Sequence, residues 1–271
     1  MPELPEVETI KNELTPYVQG RVIKSVDLFW EGMVRNDSVA DFRRRVTGQR
    51  ITGLDRRGKY LLLELGSGEV LVIHLRMSGS LLLSDRSDGR FTRAAFHLDD
   101  GQELLFRDPR KFGVTWVAAD KSGVERKLGP EPLTPGFTEA TLAGLLRDRN
   151  APIKALLLDQ KLLAGVGNMY ADEALYAARI HPLRSGGSLT GEETRRLYKA
   201  VREVLTAGIT NKGSSVVNYY RPGGELGRAQ EEFKVAHGRG KKCLVCGATI
   251  ERIVVGGRGT YFCPHCQVMP G

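Results

Sequence analysis

The feature that most constrains the fold of this chain is a pair of C-x-x-C motifs near the end of the sequence. The chain has four cysteines, and all of them lie in these motifs, at Cys243, Cys246, Cys263 and Cys266. Four thiolates at this spacing are typical of a tetrahedral structural zinc site, and disulfides are the poorer explanation in a reducing compartment. Four sulfurs also complete the coordination shell, which leaves no position for a catalytic water. We therefore predict one structural zinc ion per chain.

The residues between the two motifs predict a β-hairpin. Ile250–Val255 and Gly259–Phe262 have strand length, and Gly256-Gly257-Arg258 separates them. Metal binding would fix the tip of this hairpin and project Arg258.

The charge of the chain favours a polyanionic partner. Its 271 residues carry a formal net charge of +8 at pH 7, and the excess is concentrated after Lys234, where Glu251 is the single acid. A basic surface of this kind suits nucleic acid, although solvated basic surfaces are also common.

The composition predicts a globular protein without a membrane span. The hydrophobic content is 41%, and the longest apolar runs have only strand length. The acidic N-terminal stretch lacks the basic and apolar regions of a secretory signal. We therefore expect a cytoplasmic protein with no membrane partner.

The first half of the chain predicts an antiparallel β-sandwich that follows an N-terminal helix running towards Gly20. The turns Gly66-Ser67-Gly68 and Asp100-Gly101 would join neighbouring strands as hairpins. Seven segments have strand length: Arg21–Phe29, Arg50–Asp55, Lys59–Leu65, Glu69–Arg76, Phe91–Asp99, Gln102–Arg107 and Phe112–Ala118.

The pattern changes to helical period after three prolines at positions 130, 132 and 135. A polar, glycine-rich loop at 211–227 follows the last helix, whose start carries a Thr190–Glu193 capping box. The fold class is therefore α+β, with a sandwich domain (1–128), a Pro-rich linker (129–137), a helical domain with the loop (138–227) and a zinc module (234–271). The predicted helices are Thr138–Arg149, Pro152–Gln160, Met169–Arg179 and Thr190–Thr210.

The N-terminal stretch carries a candidate nucleophile, Pro2. If Met1 is removed, Pro2 becomes a secondary amine whose reference pKa is roughly 7.7–8.0. Such an amine can attack a carbonyl-like carbon and form an iminium, as a lysine does in a Schiff base, while Glu3 and Glu6 shuttle protons. The alternative is that Pro5 and the acids simply begin a helix.

Three polar clusters, at 56–59, 74–79 and 108–113, fall at strand ends. Each can serve either function or the structure alone. Lys59 can be a solvated strand edge, and His74 and Met77 can be core residues. Phe112 follows Arg110 and Lys111, and an aromatic between basic residues can stack on bases. A glycine-rich turn at 163–168 opens onto a helix and suits a phosphate, with Asn168 as a further donor.

Together these motifs resemble bacterial formamidopyrimidine-DNA glycosylase from end to end, although each motif alone is a weak signal. The resemblance implies a β-sandwich, a helix-two-turns-helix unit and a zinc finger. It also implies base-excision repair of oxidised purines in damaged duplex DNA, by a monomer that is both glycosylase and lyase. The motifs that carry it are Pro2–Thr9, Arg57–Tyr60, His74–Met77, Asp108–Gly113, Gly165–Asn168 and the cysteine pairs.

The resemblance also assigns roles to residues. Pro2 attacks C1′ of the damaged nucleotide, Glu3 handles protons at the deoxyribose, and Glu6 supports this site; β,δ-elimination then follows. Phosphate or other DNA contacts are expected from Lys59, His74, Arg110, Lys154, Asn168 and Arg258. The gap left by the flipped nucleotide would be filled by Met77, Arg110 and Phe112. The loop near 214–227 would close over the displaced base.

Two alternatives and two departures accompany this resemblance. Endonuclease VIII shares the Pro2 chemistry but prefers oxidised pyrimidines, and here Leu4 and the complete Asp108–Gly113 motif favour the purine-directed type. A non-catalytic zinc DNA-binding protein would have no need of Pro2, Glu3, Glu6 and Lys59 together. The departures are the loop at 214–227 and Arg76, which stands where many relatives have glycine.

Overall fold

The computed structural model describes residues 1–84, 90–216 and 219–269, which divide into two compact units. The first unit contains residues 1–127 and 208–230, and the second contains residues 128–207 and 231–271. The glycine-rich loop predicted at 211–227 therefore packs with the N-terminal half of the chain. Val217 and Asn218 of that loop lie outside the described residues.

Helix α1 (Leu4–Val18) opens the first unit, and Glu3 is its N-cap residue. Pro5 occupies the second helical position, where its missing N–H group costs no intrahelical bond. The helix buries Val7, Ile10 and Leu14 along one face. This face is what fixes the helix, and with it the N-terminus, on the sheets that follow.

Eight strands of the first unit form two four-stranded antiparallel sheets. The first sheet has the order β1-β6-β7-β5 and the second has the order β2-β3-β4-β8. The strands are β1 (Ile23–Leu28), β2 (Ile51–Arg57), β3 (Tyr60–Leu65), β4 (Val70–His74), β5 (Ser80–Ser84), β6 (Thr92–Leu98), β7 (Glu103–Arg107) and β8 (Val114–Ala118).

The two sheets share one hydrophobic core with α1, which confirms the predicted sandwich. Leu61 and Leu63 of β3 alternate towards this core, and Leu104 and Phe106 of β7 do so from the other sheet. Tyr219, from the glycine-rich segment, belongs to the same core and is only 3% exposed. A residue so far along the chain thus packs beneath the N-terminal helix.

Helices α2 (Val39–Val46) and α3 (Ser122–Glu125) and strand β5 were not predicted from the sequence. Strand β5 is the short run Ser-Leu-Leu-Leu-Ser, which lacks the alternation that identifies a half-buried strand. Helix α2 buries only Phe42 and Val46, and two apolar residues are too few to give a helical pattern in the sequence. Both elements depend on tertiary packing more than on local pattern.

The helices of the second unit agree with the predicted ones to within a few residues at each end. The capping box of the longest helix is confirmed, since Thr190 and Glu193 exchange backbone-to-side-chain hydrogen bonds of 2.8 and 3.2 Å. Among the described residues, no helix combines the length and apolar character needed to cross a bilayer. The helices are α4 (Glu139–Leu146), α5 (Ile153–Leu158), α6 (Asn168–Ala178) and α7 (Gly191–Thr210).

The cysteine-containing segment folds as the predicted hairpin, with strands β9 (Glu251–Val255) and β10 (Arg258–Phe262). Gly256 and Gly257 have φ of +55° and +73°, which a two-residue turn of this kind requires. Tyr176 of α6 packs against Cys243 and Cys263 beside this hairpin. These features confirm the mixed α+β class.

Candidate functional site

One carboxylate joins the N-terminal end of α1 to the glycine-rich segment. Pro2 is buried, and Glu3 and Glu6 are only 2% and 1% exposed. The two carboxylate oxygens of Glu6 accept the N–H groups of Glu3 and Ser214, each at 2.7 Å. Because the backbone is fixed at residue 3, Pro2 has little freedom of position.

Gly213 allows the segment to approach Glu6 this closely. Its φ is +77°, and a Cβ there would lie 2.8 Å from Cγ of Glu6 and 2.9 Å from the Tyr219 ring. The Tyr219 hydroxyl donates to the Glu6 carbonyl at 3.5 Å. A side chain at position 213 would therefore displace the Glu6 carboxylate.

Lys59 lies in the two-residue turn between β2 and β3 and is 6% exposed. Arg56 fastens this turn to α1, because Nε donates to Glu8 at 2.7 Å and Nη1 donates to the Gly58 carbonyl at 2.9 Å. Burial opposes ionisation of Glu8, but hydrogen bonds from Lys11 and Arg56 hold its pKa below the usual range. Sequence reasoning missed this contact, since Glu8 and Arg56 are 48 positions apart.

His74, at the end of β4, is 7% exposed and carries no charge at neutral pH. Burial lowers its pKa to about 3, and the positive charges of Arg76 and Lys59 add to the effect. Its Nδ1 accepts the Arg76 N–H at 3.0 Å, which assigns the ring proton to Nε2. The imidazole can therefore donate a hydrogen bond as a neutral group.

Arg76 itself has φ of +54°, in the left-handed region where glycine is most easily accommodated. Arg76, expected from the resemblance to stand where many relatives have glycine, therefore has a backbone conformation that glycine adopts more easily than arginine.

The three predicted void-filling residues are all exposed and come from two loops. Met77 is 40% exposed and Phe112 is 45% exposed, and the Arg110 guanidinium lies 4.7 Å from the centre of the Phe112 ring. An arginine stacked on an aromatic ring is held in place while its donors stay available.

Asp108 holds these two loops together and was not predicted as a site residue. It is 1% exposed; Oδ1 accepts from the Ser78 hydroxyl and the Arg110 N–H, and Oδ2 accepts the Gly113 N–H at 2.7 Å. An aspartate that opens a turn and bonds its own backbone two residues on is a known local pattern, and was the available signal. Through Ser78 it also restrains the neighbouring Met77.

A cavity of about 210 Å³ lies beside these loops in the first unit. Its lining includes the immediate neighbours of Met77 and Arg110 in the chain. The lining residues are Ser78, Ser80, Leu82, Phe91, Arg107, Pro109 and Tyr220.

In the second unit, Asn168 contacts the backbone of the hairpin that carries Arg258. Asn168 is the first residue of α6, and its side-chain amide donates to the Gly259 carbonyl at 2.9 Å. Arg258, the residue before Gly259, is exposed at the end of the turn. The hairpin thus carries an exposed guanidinium next to an anchored backbone.

Lys154 does not face the solvent, contrary to the sequence-based expectation of a direct DNA contact. It is 0% exposed, and Nζ lies 2.6 Å from Asp172 Oδ1 and 3.3 Å from the Gly259 carbonyl. Asp172 also accepts the Tyr261 N–H at 3.1 Å, while burial raises the pKa of this carboxyl. The pair therefore holds strand β10 against helices α5 and α6.

The four cysteines fit a single zinc ion. Their sulfur atoms all lie within 4.8 Å of one another, with Cys243–Cys266 and Cys246–Cys263 separations of 3.8 and 3.4 Å. Zn–S bonds of about 2.3 Å in a tetrahedron place the sulfurs about 3.8 Å apart. The predicted ligand set is therefore suited to one structural ion, which would fix the base of the hairpin.

Three protein-family models match the chain in succession. The formamidopyrimidine-DNA glycosylase N-terminal domain matches residues 1–115, and the H2TH domain of that enzyme matches residues 128–219. A zinc finger found in FPG and IleRS matches residues 240–268. A curated formamidopyrimidine-DNA glycosylase from Chloroflexus aurantiacus is 48% identical over 99% of this chain and 98% of its own, and one from Herpetosiphon aurantiacus is 45% identical over 98% and 100%.

Solved structures of the same kind share the fold. The MutM (Fpg) protein of Thermus thermophilus superposes with a TM-score of 0.89 at 44% identity, over 98% of each chain. A glycine-to-proline variant of Lactococcus lactis FPG, in complex with DNA containing Fapy-dG, gives 0.92 at 37% identity over 98% and 99%. The Lactococcus lactis protein in complex with abasic-site DNA gives 0.91 at 37% identity over 98% and 99%.

Asp108→Asn should lower the free energy of unfolding by about 2 kcal/mol, because an amide offers one acceptor atom where the buried carboxylate uses two. Asp120 provides a matched control: it is exposed, and its Oδ1 accepts the Ser122 N–H at 2.8 Å. Asp120→Asn should change the value by less than about 0.5 kcal/mol. Urea denaturation measures both, and equal effects of the two variants would contradict the role of Asp108.

His74 should make the protein less stable in acid. Its pKa is about 3 in the folded chain and about 6.5 when unfolded, so the unfolded state binds more protons between these values. The stabilising contribution is complete above pH 6.5 and falls by up to about 1.4 kcal/mol per unit below it. Between pH 7 and pH 5, the wild type should therefore lose about 2 kcal/mol more than His74→Gln in urea denaturation. Identical pH profiles would refute the assignment of a neutral, buried imidazole.

Proposed function

Because the chain belongs to the formamidopyrimidine-DNA glycosylase family, we propose that it removes oxidised purines from duplex DNA through a covalent intermediate on Pro2. Membership in this family confirms the predicted enzyme class, a DNA glycosylase with lyase activity at abasic sites. The substrates proposed are 8-oxoguanine and formamidopyrimidines. The observation that carries the proposal is the buried Pro2–Glu3–Glu6 arrangement at the start of α1.

The proposed first step is attack by the Pro2 nitrogen on C1′ of the damaged nucleotide. Loss of Met1 gives this nitrogen a lone pair in its neutral form, with a reference pKa of roughly 7.7–8.0. The new N–C1′ bond replaces the bond from C1′ to the base, which leaves with a proton. Ring opening then gives an iminium between Pro2 and C1′, for which the buried carboxyl of Glu3 would relay protons.

The second step is strand cleavage by elimination. The positive iminium acidifies the hydrogens on C2′, so removal of a C2′ proton expels the 3′ phosphate. A second elimination expels the 5′ phosphate and completes the β,δ sequence. Hydrolysis of the remaining iminium returns Pro2 as a free amine.

Phosphate groups near the lesion would be held by several hydrogen-bond donors. Lys59 supplies a charge, whereas His74 supplies a neutral Nε2–H, so its contact should not depend on protonation near pH 7. Asn168 and Arg258 would bind at the hairpin. For Lys154, whose ammonium is buried against Asp172, we propose that it positions Arg258 through the Gly259 carbonyl and does not contact DNA itself.

Extrusion of the damaged nucleotide leaves a gap that Met77, Arg110 and Phe112 would fill. Unstacking a base costs a few kcal/mol, and inserted side chains offset part of this cost. The exposure of all three residues and the Arg110–Phe112 stacking support such a role. The hydrogen bonds of Asp108 would keep the two loops at a fixed separation while these side chains enter the gap.

We infer that the displaced base enters the cavity beside these loops. The guanidinium of Arg107 lines this cavity and has several N–H groups, which can donate to the carbonyl or formamide oxygens that distinguish oxidised purines. The relatives from Lactococcus lactis that bind Fapy-dG DNA and abasic-site DNA support this substrate class. We further infer that the enzyme acts as a monomer on DNA in the bacterial cytoplasm.

Borohydride trapping on a duplex with 8-oxoguanine opposite cytosine tests the proposal. Reduction of the iminium should yield a covalent protein–DNA adduct, and mass spectrometry should locate it on the Pro2 nitrogen. Protein made with methionine removal blocked is the matched control, because its Pro2 nitrogen is an amide and should give no adduct.

Two other outcomes would contradict the proposal in different ways. Trapping only on an oxidised pyrimidine would identify endonuclease VIII-type specificity. Tight binding without an adduct on any lesion, by protein shown to lack Met1, would remove the proposed nucleophile.

A further inference from the structure

A second carboxylate of α1 holds the glycine-rich segment, seven residues beyond Glu6. The guanidinium of Arg221 lies against Glu13, with Nε 3.1 and 3.0 Å from its two oxygens and Nη2 2.7 Å from Oε1. The side chains are 26% and 19% exposed. A bidentate contact of this kind fixes the orientation of the two side chains as well as their separation.

The stretch around Arg221 is also fastened on its other side. The carbonyl of Pro222 accepts the N–H of Leu83 at 2.8 Å, at the edge strand β5. Arg221 and Glu225 close a small turn, since the Arg221 N–H donates to the Glu225 carbonyl at 2.9 Å. Helix α1 and strand β5 therefore hold residues 221–225 between them.

This attachment has a direct consequence for the cavity. Tyr220, which precedes Arg221, forms part of the cavity lining. Glu6 and Glu13 are two helical turns apart, so both project from the same side of α1, about 10 Å from each other along the helix axis. The helix that follows Pro2 thus holds the glycine-rich segment at two points, and the second of them adjoins the cavity-lining residue Tyr220.

We propose that Arg221 and Glu13 are positioning residues for base excision. Their ion pair places Tyr220 and the adjoining backbone against the displaced base, and so favours its removal. The proposal rests on the function proposed above. Cleavage at a site that already lacks its base needs no such wall, so the pair should act on excision and leave strand cleavage unchanged.

Single-turnover rates on two substrates separate these steps. We expect Arg221→Gln and Glu13→Gln each to slow excision of 8-oxoguanine about 5- to 10-fold, as loss of a partly exposed paired contact predicts. Cleavage of the same duplex with an abasic site should stay within about twofold. The double variant should be no slower than Glu13→Gln alone, because both substitutions remove the Arg221–Glu13 contact, and Glu13→Gln also removes a 3.8 Å ion pair with Lys212.

Glu69→Gln is the matched control. Arg45 contacts Glu69 with Nε and Nη2 at 3.0 and 2.8 Å, and these side chains are 21% and 29% exposed. This variant should leave both rates unchanged. Equal loss of excision and cleavage in Arg221→Gln, or no loss in either, would overturn the proposal.

Hydrogen exchange of the Leu83 amide tests, without any reaction, whether Arg221 anchors residues 221–225 to strand β5. Its N–H should exchange at least about fivefold faster in Arg221→Gln, because the bonded Pro222 carbonyl loses its neighbour's anchor. Unchanged exchange would overturn the proposed anchoring. If the wild type cleaves abasic sites but does not excise 8-oxoguanine, the proposed substrate is wrong. The excision rates of the variants are then compared on the lesion that the wild type does excise.

Discussion

The arrangement of the first unit depends on the two hydrogen bonds that the Glu6 carboxylate accepts. It is 1% exposed and accepts one N–H from Glu3 and another from Ser214. A buried carboxylate without partners is strongly unfavourable, so neither backbone segment can move away independently. The residue that precedes Glu3 and the segment that follows Ser214 are therefore positioned as one. Under the proposed function, Glu6 would connect the nucleophile Pro2 to the segment that leads to the pocket wall.

The second unit uses the same principle with a carbonyl in place of a carboxylate. The Gly259 oxygen accepts from Asn168 and from Lys154, and Asp172 completes the buried pair. A zinc ion on the four cysteines would restrain the other end of the hairpin. Arg258 is thus an exposed cation on a doubly restrained backbone, which suits recognition of a phosphate whose position is fixed.

Much of this could be predicted from the sequence wherever the signal is local. The cysteine pairs, the Gly66-Ser67-Gly68 hairpin and the Thr190–Glu193 box each specify structure within a few residues. The rest depends on partners far apart in the chain, as with Glu13 and Arg221, 208 positions apart. Nothing near Lys154 shows that its charge is buried, because Asp172 lies on another helix. Strand β5 was missed since its apolar run has no period.

Amide exchange in Gly213→Ala tests most directly whether Glu6 couples the N-terminus to the glycine-rich segment. The added Cβ would lie 2.8 Å from Cγ of Glu6 and must displace its carboxylate. The N–H of Glu3, although 210 positions away in the chain, should then exchange at least about tenfold faster, together with that of Ser214. Faster exchange at Ser214 with no change at Glu3 would contradict the coupling.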